Sequence, residues 1–409
     1  RRDAALEEGR QEDDQAEAPQ VASKVGRVTA DGIFLAVPDD SPPGIPLAVK
    51  DLLDTAGLTT TYGSAVFAEH VPSLSADSVR LAEAAGYANI GKTNLHEFAY
   101  GITSENARFG TVPNPNAPGR IAGGSSGGSA AALAANLADA ALGTDSGGSI
   151  RIPAACCGVV GFKPTYDLVS SVGCFPLAPS FDHVGPMART VDECVSLLEA
   201  IAPEFERTTL SSLAELSVGV AWIDEADPLV AQRVQEAAAL IPGSHPLDWP
   251  RPDIWALFMH EVADVHRELY GEHGELYSEE VAHKVERCLA VSDAEAGRTE
   301  RARADYREQC LELFDGLDLL LTPTLQCVAP ATGIGDLALR ERLLANTAAF
   351  NTLGWPALAL PCGPAEDGLP ASLQLVGRPG SDALVLAAGS LLASLIRGTA
   401  ERGRVPTTT

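Results

Sequence analysis

The stretch GGSSGGSAAALAANLADAALGTDSGGSIRIPAACCG, residues 123–158, holds two Gly-Gly-Ser clusters on either side of an apolar segment. A serine hydroxyl becomes a nucleophile once a neighbouring base removes its proton. Glycines let a reacting atom come close to backbone N–H groups. Each cluster runs into an apolar helical start, SAAALAA in one case and SIRIPAA in the other. Helix N-termini carry unpaired N–H groups and partial positive charge. Amides so placed can stabilise the oxyanion of an acyl-transfer reaction.

The spacing allows the two clusters to meet. A helix over 128–138 carries the chain out by roughly 15 Å at 1.5 Å per residue. A strand over 140–145 returns it by a similar distance at ~3.3 Å per residue. Ser125 and Ser149, 24 positions apart, are therefore expected side by side. Phosphate-cradling spacings (G-x-x-x-x-G-K-[ST] or G-x-G-x-x-G) do not occur. Residues 124–128 satisfy G-x-S-x-G and make Ser126 a rival nucleophile, although APGRIAG before it is a poor strand for such an elbow. A purely structural pair of glycine turns is the blandest alternative.

A serine nucleophile needs a base. His260 and His266 in HEVADVH have the wrong spacing for a metal pair, and they read as a solvated helical face. His96 and His183 read as structural. Lys50 differs from most lysines here, because GIPLAVKDLLDTAG places it at the end of an apolar strand. Burial could lower its pKa by the ~3 units that a base at neutral pH requires, at a cost of about 4 kcal/mol. The competing reading pairs Lys50 with Asp51 or Asp54.

The elements that must hold these groups alternate. GIFLAV (32–37), PLAVKD (46–51), YANIGK (87–92), AALGTD (140–145) and GVVGFK (158–163) read as buried strands. DSVRLAEAAG (77–86), GSAAALAANLA (128–138) and TVDECVSLLEAI (190–201) read as helices. This pattern predicts an α/β fold with a central mixed, twisted sheet covered by helices on both faces. Residues 1–22 form an acidic lead, and 23–409 form the main domain. Within it, 225–310 is expected to be a helical insertion on the substrate side, with Trp255, Phe258 and Met259 as candidates for an apolar pocket. The segments LDLLLTPT (317–324) and PALALP (356–361) return to strand character.

Bulk properties limit the partners. The 409 residues include 29 basic and 55 acidic side chains, a net charge of −26, which repels nucleic acid. Eight cysteines lie scattered without a C-x-x-C pair, so reduced thiols in a cytoplasmic protein are expected. The apolar run ALVLAAGSLLASLI (383–396) is too short for a membrane span.

The segment 123–166 resembles the signature of the amidase signature family of serine hydrolases. GIPLAVKDLLDTAG (44–57), GKTNLHEFAYG (91–101), FDHVGPMARTV (181–191) and FNTLGWPALALPCG with DGLPASLQLVGRP (350–379) follow in family order. The resemblance covers about 30–200 and 315–396, with little likeness over 203–310. It implies Lys50 as base, Ser125 as a bridging serine on a cis peptide, and Ser149 as nucleophile. It further implies an oxyanion hole from the amides of Ser146, Gly147, Gly148 and Ser149, with Ser126 supporting and Arg151 bracing Asp145. Gly124 and Tyr100 are expected to border the substrate. No metal or organic cofactor is implied. Two positions depart from the family's habit: Ser146, where Thr or an apolar residue is common, and Asp167-Leu168, where Gly-Arg is frequent. The expected activity is hydrolysis of a small-molecule amide, anilide or carbamate by a monomer or homodimer. The alternatives are the glutaminase component of an aminoacyl-tRNA amidotransferase, releasing ammonia from glutamine, and an inactive scaffold.

Overall fold

The computed structural model describes residues 32–40 and 43–402. The acidic lead lies outside them. In chain order the first half contains β1 (Phe34–Ala36), β2 (Ile45–Lys50), α1 (Asp77–Ala84), β3 (Tyr87–Thr93), β4 (Glu105–Asn106), β5 (Gly110–Thr111), α2 (Gly127–Ala134), β6 (Ala140–Thr144), α3 (Arg151–Cys157), β7 (Val160–Lys163), β8 (Val184–Ala188) and α4 (Val191–Ile201). The second half continues with β9 (Val218–Val220), α5 (Pro228–Ala238), β10 (Ser244–Pro246), α6 (Trp255–His273), α7 (Glu279–Leu289), α8 (Asp293–Leu313), β11 (Leu319–Pro323), α9 (Asp336–Leu344), α10 (Ala348–Leu353), β12 (Ala357–Pro364), β13 (Pro370–Val376) and α11 (Asp382–Arg402).

Eleven strands form one mixed sheet in the order β1-β3-β2-β6-β8-β7-β12-β13-β11-β9-β10. Successive side chains on a strand point to opposite faces, and β2 shows the result. Leu47 and Val49 join Val79 of α1, Leu198 of α4, Val234 of α5 and Leu392 of α11 on one face. Ala48 and Ala141 join the alanines of α2 and Ala154 of α3 on the other. The small residues on that second face let α2 and α3 lie close to the sheet, which sets the depth of the site.

Several boundaries differ from the sequence reading. Helix α2 stops at Ala134 rather than 138, because Asn136 adopts φ +56°, a left-handed conformation that Asn tolerates better than most residues. Within the helical insertion expected over 225–310, the part from Trp255 onward is three helices. Ser278 caps α7 by accepting from the Val281 amide, and Ser292 with Glu295 forms a reciprocal capping box on α8. Helices α6 and α7 share an apolar cluster with Phe98, Leu177 and Phe181 beside the glycine-serine loops. The earlier part of the 225–310 segment belongs to the sheet: α5 covers one face, and β10 pairs in parallel with β9. Asp167, where glycine is frequent, stands at φ +67°, so the turn keeps the shape that glycine favours.

The apolar C-terminal run lies inside α11. Over Asp382–Thr399 the helix reaches a mean hydropathy of 1.3 across 18 residues, so by length and composition it can cross a membrane. In the fold, 44% of that window is buried, and Val385, Leu386, Ala388 and Leu392 pack with the sheet.

Candidate active site

Strands β2 and β6 are parallel neighbours, with Val49 opposite Leu142. Their C-terminal ends therefore open on the same edge, the usual place for ligand chemistry in such sheets. Lys50 ends β2 and Thr144 ends β6. Lys50 Nζ lies 2.7 Å from Ser125 Oγ and 2.6 Å from Thr144 Oγ1. Lys50 is fully buried, and burial pulls its ammonium down to about 7, against weaker upward pulls from Cys174, Asp145 and Asp182. Uncharged, it can accept a proton near neutral pH.

Neither competing carboxylate reaches Lys50. Asp51 Oδ1 pairs with Lys92 Nζ at 3.0 Å, and its Oδ2 accepts from the amide and hydroxyl of Thr61. Asp54 accepts from the Tyr62 hydroxyl at 2.7 Å. Lys50 is left among hydroxyls.

The Gly124–Ser125 peptide is cis. Its loop is fixed at the Ser125 carbonyl, which accepts from the His96 amide at 3.3 Å and from Ser104 Oγ at 3.2 Å. A Cβ on Gly124 would meet Ser104 Oγ at 2.8 Å and Ser104 N at 2.9 Å, so Gly124 serves close backbone packing. The Ser126 amide donates to the Ser149 carbonyl at 3.1 Å and ties the two glycine-serine loops together. Ser126 Oγ donates to the Thr144 carbonyl and accepts from the Thr144 amide. That hydroxyl is fully buried and committed to backbone, which removes Ser126 as a rival nucleophile.

Ser149 follows Gly147 and Gly148 before α3. Among the described residues, the amides of Ser146, Gly147, Gly148 and Ser149 have no hydrogen-bond partner within the protein. Ser149 Oγ also has none, and its side chain borders a small pocket of about 20 Å³ with Ser146, Gly147, Tyr100 and Arg340. No hydrogen bond joins the Ser125 and Ser149 hydroxyls in this structure. Gly148 stands at φ +142°, where a Cβ would meet Thr347 Oγ1 at 2.4 Å. The Gly147 carbonyl accepts from Thr347 Oγ1 at 2.6 Å. That bond turns the carbonyl toward α10 and leaves the amides unpartnered.

Asp145 and Arg151 brace this turn, both fully buried. Arg151 Nε and Nη2 donate to the two Asp145 oxygens at 3.0 Å each. The remaining Arg151 donors reach the Thr347 carbonyl, Gln374 Oε1 and Asn351 Oδ1. Burial pushes the Asp145 carboxyl upward, but the Arg151 guanidinium overrides it and holds the group well below the ordinary range. Asp145 Oδ2 also accepts from the Ile150 amide, so the ion pair fixes the path of the chain just past Ser149.

Several participants were not singled out from the sequence. Thr144 belongs to the GTDSGG run, and its position at the end of a strand parallel to β2 was the available signal. Asp182 accepts from Ser146 Oγ at 2.5 Å and from the Leu177 and Ala178 amides. Thr347, Asn351 and Gln374 lie about 200 residues further along the chain, and only the folded sheet brings them in. Tyr100 is buried, its hydroxyl 3.0 Å from Cys288 Sγ. Trp255 and Met259 border a larger cavity of about 850 Å³ that also meets Tyr100, while Phe258 borders the small one. His96, Glu280 and Asp336 have metal-ligand proximity. Lys284 Nζ, 2.6 Å from a carboxylate oxygen of each acid, bridges them instead.

The Amidase family model matches residues 40–243 and 252–386, so the likeness runs through most of the 203–310 stretch as well. The A component of glutamyl-tRNA(Gln) amidotransferase from Haloarcula marismortui is 35% identical, over 87% of this chain and 96% of its own. AtzE of Pseudomonas sp. (strain ADP), a component of 1-carboxybiuret hydrolase, is 34% identical, over 85% of this chain and 83% of its own. A crystal structure of an amidase superposes with a TM-score of 0.80 at 35% identity, covering 86% of this chain and 84% of its own. The chain therefore belongs to the amidase signature family and is an amidohydrolase that cleaves amide C–N bonds.

Proposed function

We propose that the protein hydrolyses small-molecule amides, anilides or carbamates through Lys50, Ser125 and Ser149. Lys50 takes a proton from Ser125, which takes one from Ser149, and Ser149 Oγ attacks the carbonyl carbon. The resulting oxyanion is held by the amides of Gly147, Gly148 and Ser149, with Ser146 at the edge of the run. The C–N bond breaks, the departing nitrogen collects the proton, and an acyl-enzyme remains on Ser149. Water then repeats the relay and releases the acid. Substrate binding closes the gap between the two hydroxyls, since catalytic hydrogen bonds in an empty site are often long.

One observation carries this reading: a fully buried lysine with a pKa of about 7 whose amine contacts the Ser125 and Thr144 hydroxyls and no carboxylate. Assays of the purified chain with p-nitroacetanilide, a p-nitrophenyl carbamate and glutamine test it. Turnover by the chain alone, abolished in Ser149→Ala, is the expected result. No turnover and no reaction with an active-serine phosphonate would overturn it.

A second reading draws on the amidotransferase relative, which matches along 96% of its own length. In that case the chain releases ammonia from glutamine only when partner proteins are added. A cytoplasmic monomer or homodimer that does not bind nucleic acid fits the first reading, with the scattered cysteines and the net charge of −26 in support.

A further inference from the structure

The 850 Å³ cavity that meets the Ser149 pocket has walls of unexpected charge. The chain carries 55 acidic and 29 basic side chains, yet Arg251, Lys284, Arg287, Arg340 and Arg342 line this cavity against only Glu225 and Glu341. Most of these cations are already engaged. Arg251 pairs with Glu225, Arg342 with Asp227, and Lys284 with Glu280 and Asp336.

Arg340 is not. Among the described residues its guanidinium makes no hydrogen bond, and its nearest carboxylate, Asp336 Oδ2, lies 3.7 Å away. That same oxygen accepts from Lys284 at 2.6 Å, while Asp336 Oδ1 is taken by the Ile102 amide. The guanidinium is held instead by two rings, 5.2 Å from the Tyr100 centroid and 5.7 Å from that of Trp255. Stacking of this kind orients the planar fork without consuming its donors. The side chain is only 22% exposed. Arg340 also borders both spaces, the large cavity and the small pocket that contains Ser149. A pre-oriented guanidinium fork whose donors make no hydrogen bond, at the seam of a nucleophile pocket, suits bidentate recognition of a planar anion.

We propose that Arg340 is a substrate-binding residue that recognises a carboxylate on the amide substrate, so that the enzyme acts on monoamides of dicarboxylic acids or similar acidic amides. This rests on Ser149 being the nucleophile and names the substrate class for that site. Neutral amides of the same length leave the fork unpaired and bind more weakly.

The test compares succinamate with butyramide, a neutral amide of equal chain length, in the wild type, Arg340→Met and Arg340→Lys. Two readouts are taken: hydrolysis, and protection of Ser149 against a fluorophosphonate, which needs no turnover. The wild type is expected to favour succinamate by at least ~10-fold in kcat/KM and in protection. Arg340→Met is expected to lose ~10²-fold on succinamate and less than ~3-fold on butyramide, with partial recovery in Arg340→Lys, since charge-assisted hydrogen bonds are among the stronger contacts. Equal losses on both substrates, no preference in the wild type, or a labelled enzyme protected by neither compound would overturn the anion site while leaving the nucleophile in place. A wild type that does not label at all would instead overturn the reading beneath it.

Discussion

Lys50 ends β2 and Lys92 is the last residue but one of the parallel β3, with Lys50 opposite Thr93 and Val49 opposite Lys92, and both are fully buried, yet only Lys92 holds a carboxylate. Asp51, next to Lys50 in sequence, faces Lys92 and is completed by Thr61. The pairing that a lysine at a strand end normally finds has gone to its neighbour. Lys50 is left with the hydroxyls of Ser125 and Thr144, in surroundings that disfavour its charged form.

The two lysines should respond oppositely to the same substitution. Lys50→Met removes a costly buried amine and orphans no acid, so thermal stability should hold or rise while hydrolysis falls by ~10³-fold or more. Lys92→Met strands Asp51 in the core and should cost about 3–5 kcal/mol. Calorimetry beside a rate assay separates the two. Equal loss of stability in both variants would show Lys50 to be structural.

Stability should also depend on pH through Lys50. The folded amine loses its proton near 7, whereas in the unfolded chain it does so near its ordinary 10.5. Between those values the unfolded state holds more protons, so raising the pH favours the fold, and below about 7 the full penalty applies. Denaturant titrations at a series of pH values should show this rise in the wild type, and Lys50→Met should lack that component.

Thr144→Val removes one acceptor for the Lys50 ammonium. The charged form loses support, so the acidic limb of the kcat/KM profile should move to lower pH by less than about one unit. A limb moving upward would mean that the hydroxyl supports the neutral amine.

Gly148→Ala should cost ~10²-fold or more in kcat by disturbing the unpaired amides. Its φ of +142° disfavours any side chain, and the new methyl would collide with Thr347 Oγ1. Thr347→Ala relieves that collision but not the backbone strain, so the double variant should recover only part of the rate. Full recovery would show that contact with Thr347, and not the backbone conformation, is what matters here.

Breaking the brace should act on the fold first. Arg151→Met leaves Asp145 buried without its guanidinium and should cost about 3–5 kcal/mol, seen as a lower thermal midpoint. Unchanged stability would mean that Asn351, which also donates to Asp145, suffices alone.

Much of the site was readable because it is local. Ser125 and Ser149 sit on two loops joined by one helix and one strand, and the apolar context of Lys50 foretold its burial. What decides the role of Lys50 was not readable, because Asp51 turns to Lys92 only through the register of β2 against β3. The binding wall was equally hidden: Arg340 lies in α9, and the rings that hold it come from Tyr100 and Trp255. The starts of α7 and α8 within the expected helical insertion, by contrast, carry local sequence signals that were not read there, Ser278 and Ser292 with Glu295.

The rate at which a fluorophosphonate labels Ser149, followed from about pH 5 to 9, reports the ionisation of the base directly. The wild type should give a sigmoid that rises through a midpoint near 7, and Lys50→Met a flat profile slower by ~10³-fold. A wild-type profile without that midpoint, or a Lys50→Met enzyme that labels at the wild-type rate, would contradict the account.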